Sequence, residues 1–128
     1  MIIKDNKGNE ASYSIRGAVF EVYNELGPGL LESVYEASLA HLLIIEGREV
    51  ERQVPIPVVF RDVKLDIGFR LDLLVDNAVI IEIKSVETLM PVHHKQLLTY
   101  LKLTNKKLGL LINFNEHPLK IVRIVNNL

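Results

Sequence analysis

Residues 77–85 read NAVIIEIKS, and the folding of this stretch decides the reading of the whole chain. Ala78, Val79, Ile80 and Ile81 lead into Glu82, Ile83 and Lys84. A short run this rich in Ile and Val reads as a buried strand. Strand side chains alternate between faces, so Glu82 and Lys84 share a face with Ala78 and Ile80. A core strand therefore carries a carboxylate and an ammonium on a face that its own isoleucine buries. One strand earlier, FRLDLLVDN (69–77) holds Asp72, ahead of a turn signal at Asp76-Asn77. A two-residue turn would pair Val75 with Ala78 and send Asp72 and Glu82 to opposite faces. A three-residue loop pairs Val75 with Val79, sets Asp72 opposite Glu82 and sets Arg70 opposite Lys84. The second register is expected, because it keeps the apolar pairs and the two carboxylates each on a consistent face.

Two carboxylates side by side on a partly buried face repel each other and are costly to desolvate. A divalent cation relieves both penalties, and hard oxygen ligands suit Mg²⁺ or Mn²⁺. Lys84, one pleat further along, then reaches a phosphate or holds an attacking water. The alternative is structural: Glu82 and Lys84 as strand-end charges that snorkel to solvent, with Asp72 paired to Arg70.

Ile15, Val19, Val22 and Leu26 recur at helical spacing, so residues 10–26 read as an amphipathic helix that GPG (27–29) breaks. Leu30 to Glu46 reads as a second helix stopped by Gly47. VERQVPIPVVF (50–60) and KLDIGFRLDLLV (64–75) are rich in β-branched residues, and Pro55 and Pro57 place the first of them at a sheet edge. A third helix spans about His93 to Leu103, followed by strands at LGLLINF (108–114) and LKIVRIV (119–125). No repeat or linker interrupts this order. Helices, an antiparallel group of strands, a helix and further strands make a mixed α/β arrangement, with helices packed on a central sheet.

At 128 residues the chain is long enough for one domain, residues 1–128, with a single core. It contains no cysteine, which excludes disulfides, thiolate metal sites and cysteine nucleophiles. No apolar run approaches the roughly 18 residues of a membrane span, and the start MIIKDNKGNE has no signal-peptide layout, so a cytoplasmic protein is expected. A formal net charge of −1 gives no support to non-specific nucleic-acid binding. The distribution of charge is more telling. Glu21, Glu25, Glu32 and Glu36 fall in a stretch without Lys or Arg, whereas Lys84 to Lys107 holds five lysines, His93, His94 and only Glu87. This is either an acidic metal-collecting site beside a basic phosphate-binding surface or two solvated helix faces.

Asp72 followed ten residues later by Glu82-Ile83-Lys84 resembles the core of the PD-(D/E)XK nuclease superfamily, where an Asp and a Glu-x-Lys lie on adjacent strands. GLLESVY (29–35) is similar to the signature of the GxxExxY family, with Gly29, Glu32 and Tyr35 in place. QLLTY (96–100) resembles the Gln-x-x-x-Tyr motif of RecB-like nucleases. The resemblance runs from about Ile15 to Ile124, with one departure: Leu71 stands where the superfamily label has Pro. It implies a restriction-endonuclease-like fold and a Mg²⁺- or Mn²⁺-dependent phosphodiesterase acting on DNA, less on RNA. Asp72, Glu82 and the Ile83 backbone carbonyl would hold the metal, with Glu32 binding it directly or through water; the metal would polarise the scissile phosphate and lower the pKa of a bound water. Lys84 would orient or deprotonate that water and offset transition-state charge.

Gln96 and Tyr100, four apart and on one helix face, would position the site and the nucleic-acid backbone; otherwise Tyr100 is a core aromatic and Gln96 a surface helix former. Glu32 suits the N-terminal end of its helix in any case. Tyr35 either buttresses Glu32 or packs. Lys95, Lys102 and His93 are candidate nucleic-acid contacts, His93 alternatively an N-terminal helix residue. So small a chain leaves little room to grip a duplex, which points to a homodimer or a larger protein partner. The competing reading is a non-catalytic nucleic-acid-binding or assembly module that keeps the fold.

Overall fold

The computed structural model describes residues 7–66 and 68–127. The extreme ends of the expected 1–128 domain, and Ile67 in the stretch 64–75, lie outside the described residues. The elements in order are α1 (Lys7–Leu26), α2 (Glu32–Ile45), β1 (Val50–Pro55), β2 (Val58–Phe60), β3 (Val63–Leu65), β4 (Arg70–Val75), β5 (Val79–Lys84), α3 (Pro91–Thr104), β6 (Leu108–Asn113) and β7 (Lys120–Val125). Five strands form one mixed sheet in the order β1-β4-β5-β6-β7. β5 and β6 are parallel, joined through α3, and the other neighbours are antiparallel. This is the restriction-endonuclease-like arrangement of a mixed sheet flanked by helices. Strand β1 is at an edge, which accommodates the missing N–H of Pro55.

Both faces of the sheet are covered, which explains why 78–81 and 108–112 read as continuous apolar runs. On one face α1 and α2 bury Ile15, Val19, Tyr35, Leu39 and Leu43 against Leu73, Val75, Ile81, Ile83 and Ile112. On the other, α3 buries Leu97, Tyr100 and Leu101 against Leu71, Leu74, Ile80 and Leu111. Ala78, expected beside Ile80, packs with the first layer because it belongs to the loop and not to the strand. The α3 layer depends on a close approach. A Cβ added to Gly109 on β6 would stand 3.0 Å from Cγ, Cδ1 and Cδ2 of the fully buried Leu97. Gly109→Ala is therefore expected to overpack this contact and destabilise the fold by about 1–3 kcal/mol, read as a lower urea midpoint.

The expectation of two long strands over 50–75 needs a correction. A separate two-stranded ribbon, β2–β3, lies between β1 and β4, with Val58 opposite Leu65 and Phe60 opposite Val63. Arg61 and Asp62 take positive φ at its tip (49° and 65°), the backbone that a tight hairpin needs. No helix among the described residues is long and apolar enough to cross a membrane.

Candidate active site

The β4–β5 hairpin decides the geometry. Asp76 and Asn77 both have positive φ (54° and 51°), and Ala78 N donates to Val75 O at 3.0 Å. Ala78 is then left over, and the ladder runs Val75 opposite Val79, Leu74 opposite Ile80 and Leu73 opposite Ile81. The loop is anchored from outside: the Asp76 carboxylate accepts from Arg48 Nη1 at 2.9 Å and from Glu49 N at 3.0 Å. This is the three-residue register that the sequence favoured.

Beyond Leu73 and Ile81 the two strands part, and the carboxylates take over from the ladder. Ile83 N donates to Asp72 Oδ2 at 2.8 Å, and Asp72 N donates to Glu82 Oε1 at 3.2 Å. Each carboxylate thus accepts an N–H from the opposite strand, and the two groups lie side by side. The expected juxtaposition of Arg70 with Lys84 is not formed. Past Leu73, β4 keeps its ladder with β1, with Arg70 opposite Pro55, and the Arg70 guanidinium turns to Gln53 O at 3.3 Å. Among the described residues no ion pair joins Arg70 to Asp72, so the structural alternative for Asp72 is not realised either.

Glu82 is 4% exposed. Burial, then the neighbouring Asp72 charge, pushes its pKa up from 4.5 to about 8. Asp72 is also raised, first by burial, against the lowering effect of the Ile83 N–H; Glu36 and Glu32 add to the rise, and Lys84 opposes it. Near neutral pH the raised pKa of Glu82 favours its protonated form beside Asp72. Lys84 follows at the end of β5, half-buried.

α3 supplies the side of the site opposite α2. Gln96 Nε2 donates to Tyr100 Oη at 2.8 Å, as the four-residue spacing implied. The phenol of Tyr100 is raised by burial and then by the charge of Glu82. Tyr100 is thus both a core aromatic and a neighbour of the acidic pair. His93 is committed to its helix end: Met90 N donates to His93 Nδ1 at 2.9 Å, while His93 N donates to Met90 O at 2.9 Å. Its other ring nitrogen, Nε2, remains as a donor. Lys95 and Lys102 are exposed on α3. The basic stretch 84–107 does not form one surface, because Lys106 Nζ is bound to Asn77 O and Oδ1 at the far end of the sheet.

α2 brings Glu32 to the site and keeps Tyr35 in the core. The Glu32 carboxylate accepts Ser85 N at 3.2 Å, just past Lys84, and Leu30 O accepts from Ser85 Oγ at 2.7 Å. Glu32 therefore stands at the edge of the site. Among the described residues no three His, Asp or Glu side chains gather closely enough to hold one ion. Tyr35 does not support Glu32. It is fully buried, stacks on Phe114 with ring centroids 4.2 Å apart, donates to Gly27 O and accepts Leu30 N at 3.1 Å. It holds the GPG turn that starts α2. Glu36, read only as part of an acidic stretch, is the residue the sequence reading missed. It is buried, held by Arg52 at 3.0 and 3.1 Å and by Gln53, and adds its charge to the field at Asp72. Its spacing from Tyr35, Leu39 and Leu43 on the buried face of α2 was the available signal.

Asn113 carries the loop after Lys84. It is fully buried on β6 opposite Lys84, accepts Val86 N at 3.1 Å and donates to Val86 O at 2.8 Å. An amide side chain thus continues the sheet where the backbone leaves it.

These features define a class: α/β proteins that gather an acidic pair and a lysine where two central strands part. A family model for the PD-(D/E)XK nuclease superfamily matches residues 9–124. The chain belongs to the PD-(D/E)XK nuclease superfamily. No curated protein and no solved structure matches it.

Proposed function

We propose that this chain is a metal-dependent nuclease of the GxxExxY type that hydrolyses phosphodiester bonds, in DNA in the first place and RNA in the second. The observation that carries this reading is the buried Asp72–Glu82 pair. Neither carboxylate has a cationic partner within ion-pair distance among the described residues, and both have pKa values raised by burial. A fold keeps so costly an arrangement where a ligand relieves it.

The donor set suits a hard divalent ion, Mg²⁺ or Mn²⁺. Two carboxylates and the Ile83 carbonyl would hold it, the remaining positions being left to water and phosphate oxygens. When bound, the ion supplies charge for the phosphate and a lowered pKa for water. Asp72 and Glu82 provide the negative charge that fixes its position, and the Ile83 and Asp72 N–H groups fix the carboxylates. Lys84, a cation one pleat beyond Glu82, orients the attacking water and offsets charge as the phosphorus gains its fifth oxygen. Tyr100, oriented by Gln96, sets the polarity behind the pair. Glu32 completes the acidic edge, acting through water.

Lys84, Lys95, Lys102 and His93 Nε2 are the groups available to the polynucleotide backbone. With about three phosphates neutralised, log K against log salt should have a slope of roughly −2 to −3. The test is cleavage of single- and double-stranded DNA and RNA in Mg²⁺ and in Mn²⁺, beside Glu82→Ala. Metal-dependent cleavage by the wild type alone supports the reading. Salt-sensitive binding without cleavage in either metal would favour a non-catalytic nucleic-acid-binding module.

A further inference from the structure

Phe69 is 40% exposed and stands at the root of β4, three residues before Asp72. Its position is fixed. Its carbonyl accepts Ile56 N at 2.9 Å, continuing the β1–β4 ladder one step past Arg70 and Pro55. Its ring leans on Tyr100, with centroids 5.8 Å apart and planes tilted by 50°. Tyr100 in turn lies within the field of Asp72 and Glu82. Three residues of strand span at most about 10 Å, so the ring is within reach of bases flanking a phosphate held at the carboxylates. The β2–β3 ribbon rises from this same end of the sheet, and on it Phe60 is 61% exposed beneath the Arg61 guanidinium.

We propose that Phe69, braced by Tyr100, is a stacking platform for an unpaired base next to the scissile phosphate, so that the substrate is a single strand or a frayed end. This rests on the nuclease reading above and adds the substrate class. An aromatic face gains most from a base that is not already stacked on its neighbours. The charge balance points the same way. With 15 Lys and Arg against 16 Asp and Glu, backbone neutralisation is a weak source of affinity, and stacking supplies what charge does not.

The chain contains no Trp, so Phe69→Trp introduces a single indole reporter. The probe is a single-stranded oligothymidylate in EDTA, beside the same backbone with abasic sites and a duplex of equal length. The expected result is quenching of the indole by the oligothymidylate, little by the abasic strand, and weaker binding of the duplex. Phe69→Ala should weaken single-strand binding roughly five- to hundredfold. Phe69→Leu, which keeps apolar bulk against Tyr100 without a ring, should weaken it as well, while melting near the wild-type temperature. Mn²⁺-dependent cleavage by the wild type together with no quenching, or with Phe69→Leu binding unchanged, would overturn the stacking proposal and leave the nuclease reading intact. A wild type that neither cleaves nor binds any strand would overturn both. Indole emission that responds to protein concentration and not to the oligonucleotide would assign Phe69 to contact with a second copy, and would also overturn it.

Discussion

Glu82→Gln is expected to lower metal-dependent cleavage by on the order of a thousandfold or more while leaving the metal-free fold intact. The amide has the size of the carboxyl. Its oxygen still accepts Asp72 N, and its nitrogen can donate to the Asp72 carboxylate in place of the Glu82 proton. What it loses is one of the two negative charges that would hold a divalent cation. Asp72→Asn should behave alike in activity and less well in stability, because Asp72 accepts the Ile83 N–H, and a flipped amide would oppose two donors. Steady-state cleavage beside urea denaturation separates the two effects. Full cleavage by Glu82→Gln would place the reaction elsewhere.

The second large effect is on stability against pH. Glu82 has a folded pKa raised from 4.5 to about 8, and Asp72 is shifted in the same direction. Below about pH 4.5 both folded and unfolded chains hold the Glu82 proton, and the group contributes no loss. Above that, the unfolded chain releases the proton first, so stability falls as pH rises, and this fall is complete once the folded Glu82 has ionised above about pH 8. The metal-free protein should therefore lose a few kcal/mol of stability between pH 5 and pH 8.5 through this pair. Glu82→Gln should remove most of that slope. Millimolar Mn²⁺ should reverse it, because the ion binds the ionised pair and stabilises the native state by mass action, by about 2.7 kcal/mol at a hundredfold excess over Kd. Urea midpoints in EDTA and in Mn²⁺ at the two pH values measure all three.

How much of this was legible in the sequence follows from which interactions are local. The apolar runs at 78–81 and 108–112 marked two buried strands, since both sheet faces are covered. The hairpin register could be reasoned from face consistency alone. Its cause, positive φ at Asp76 and Asn77 with Arg48 and Glu49 holding the Asp76 carboxylate, spans 28 residues of chain and was not visible. The Gln96–Tyr100 bond is a one-turn contact and could be read from spacing. The parting of β4 from β5 was not readable, and with it went the expected Arg70–Lys84 neighbourhood. Local pattern gives no sign of where a carboxylate replaces a carbonyl as the acceptor of a backbone N–H. Glu36 was hidden for a similar reason: its burial depends on Arg52 and Gln53, which arrive from a later strand. His93 was half legible, its place at a helix start being local and its bond to Met90 N a matter of cap geometry.

The most direct test of the Asp72–Glu82 pair as a metal centre is calorimetric titration of Mn²⁺ into the metal-free protein near pH 7, in two buffers of different ionisation enthalpy. The expected result is Mn²⁺ binding with release of a proton, because Glu82, with its raised pKa, must give up its own, and with that release absent from Glu82→Gln. Binding of Mn²⁺ with no proton released, or undiminished binding by both Glu82→Gln and Asp72→Asn, would show that these two carboxylates are not the site of the metal.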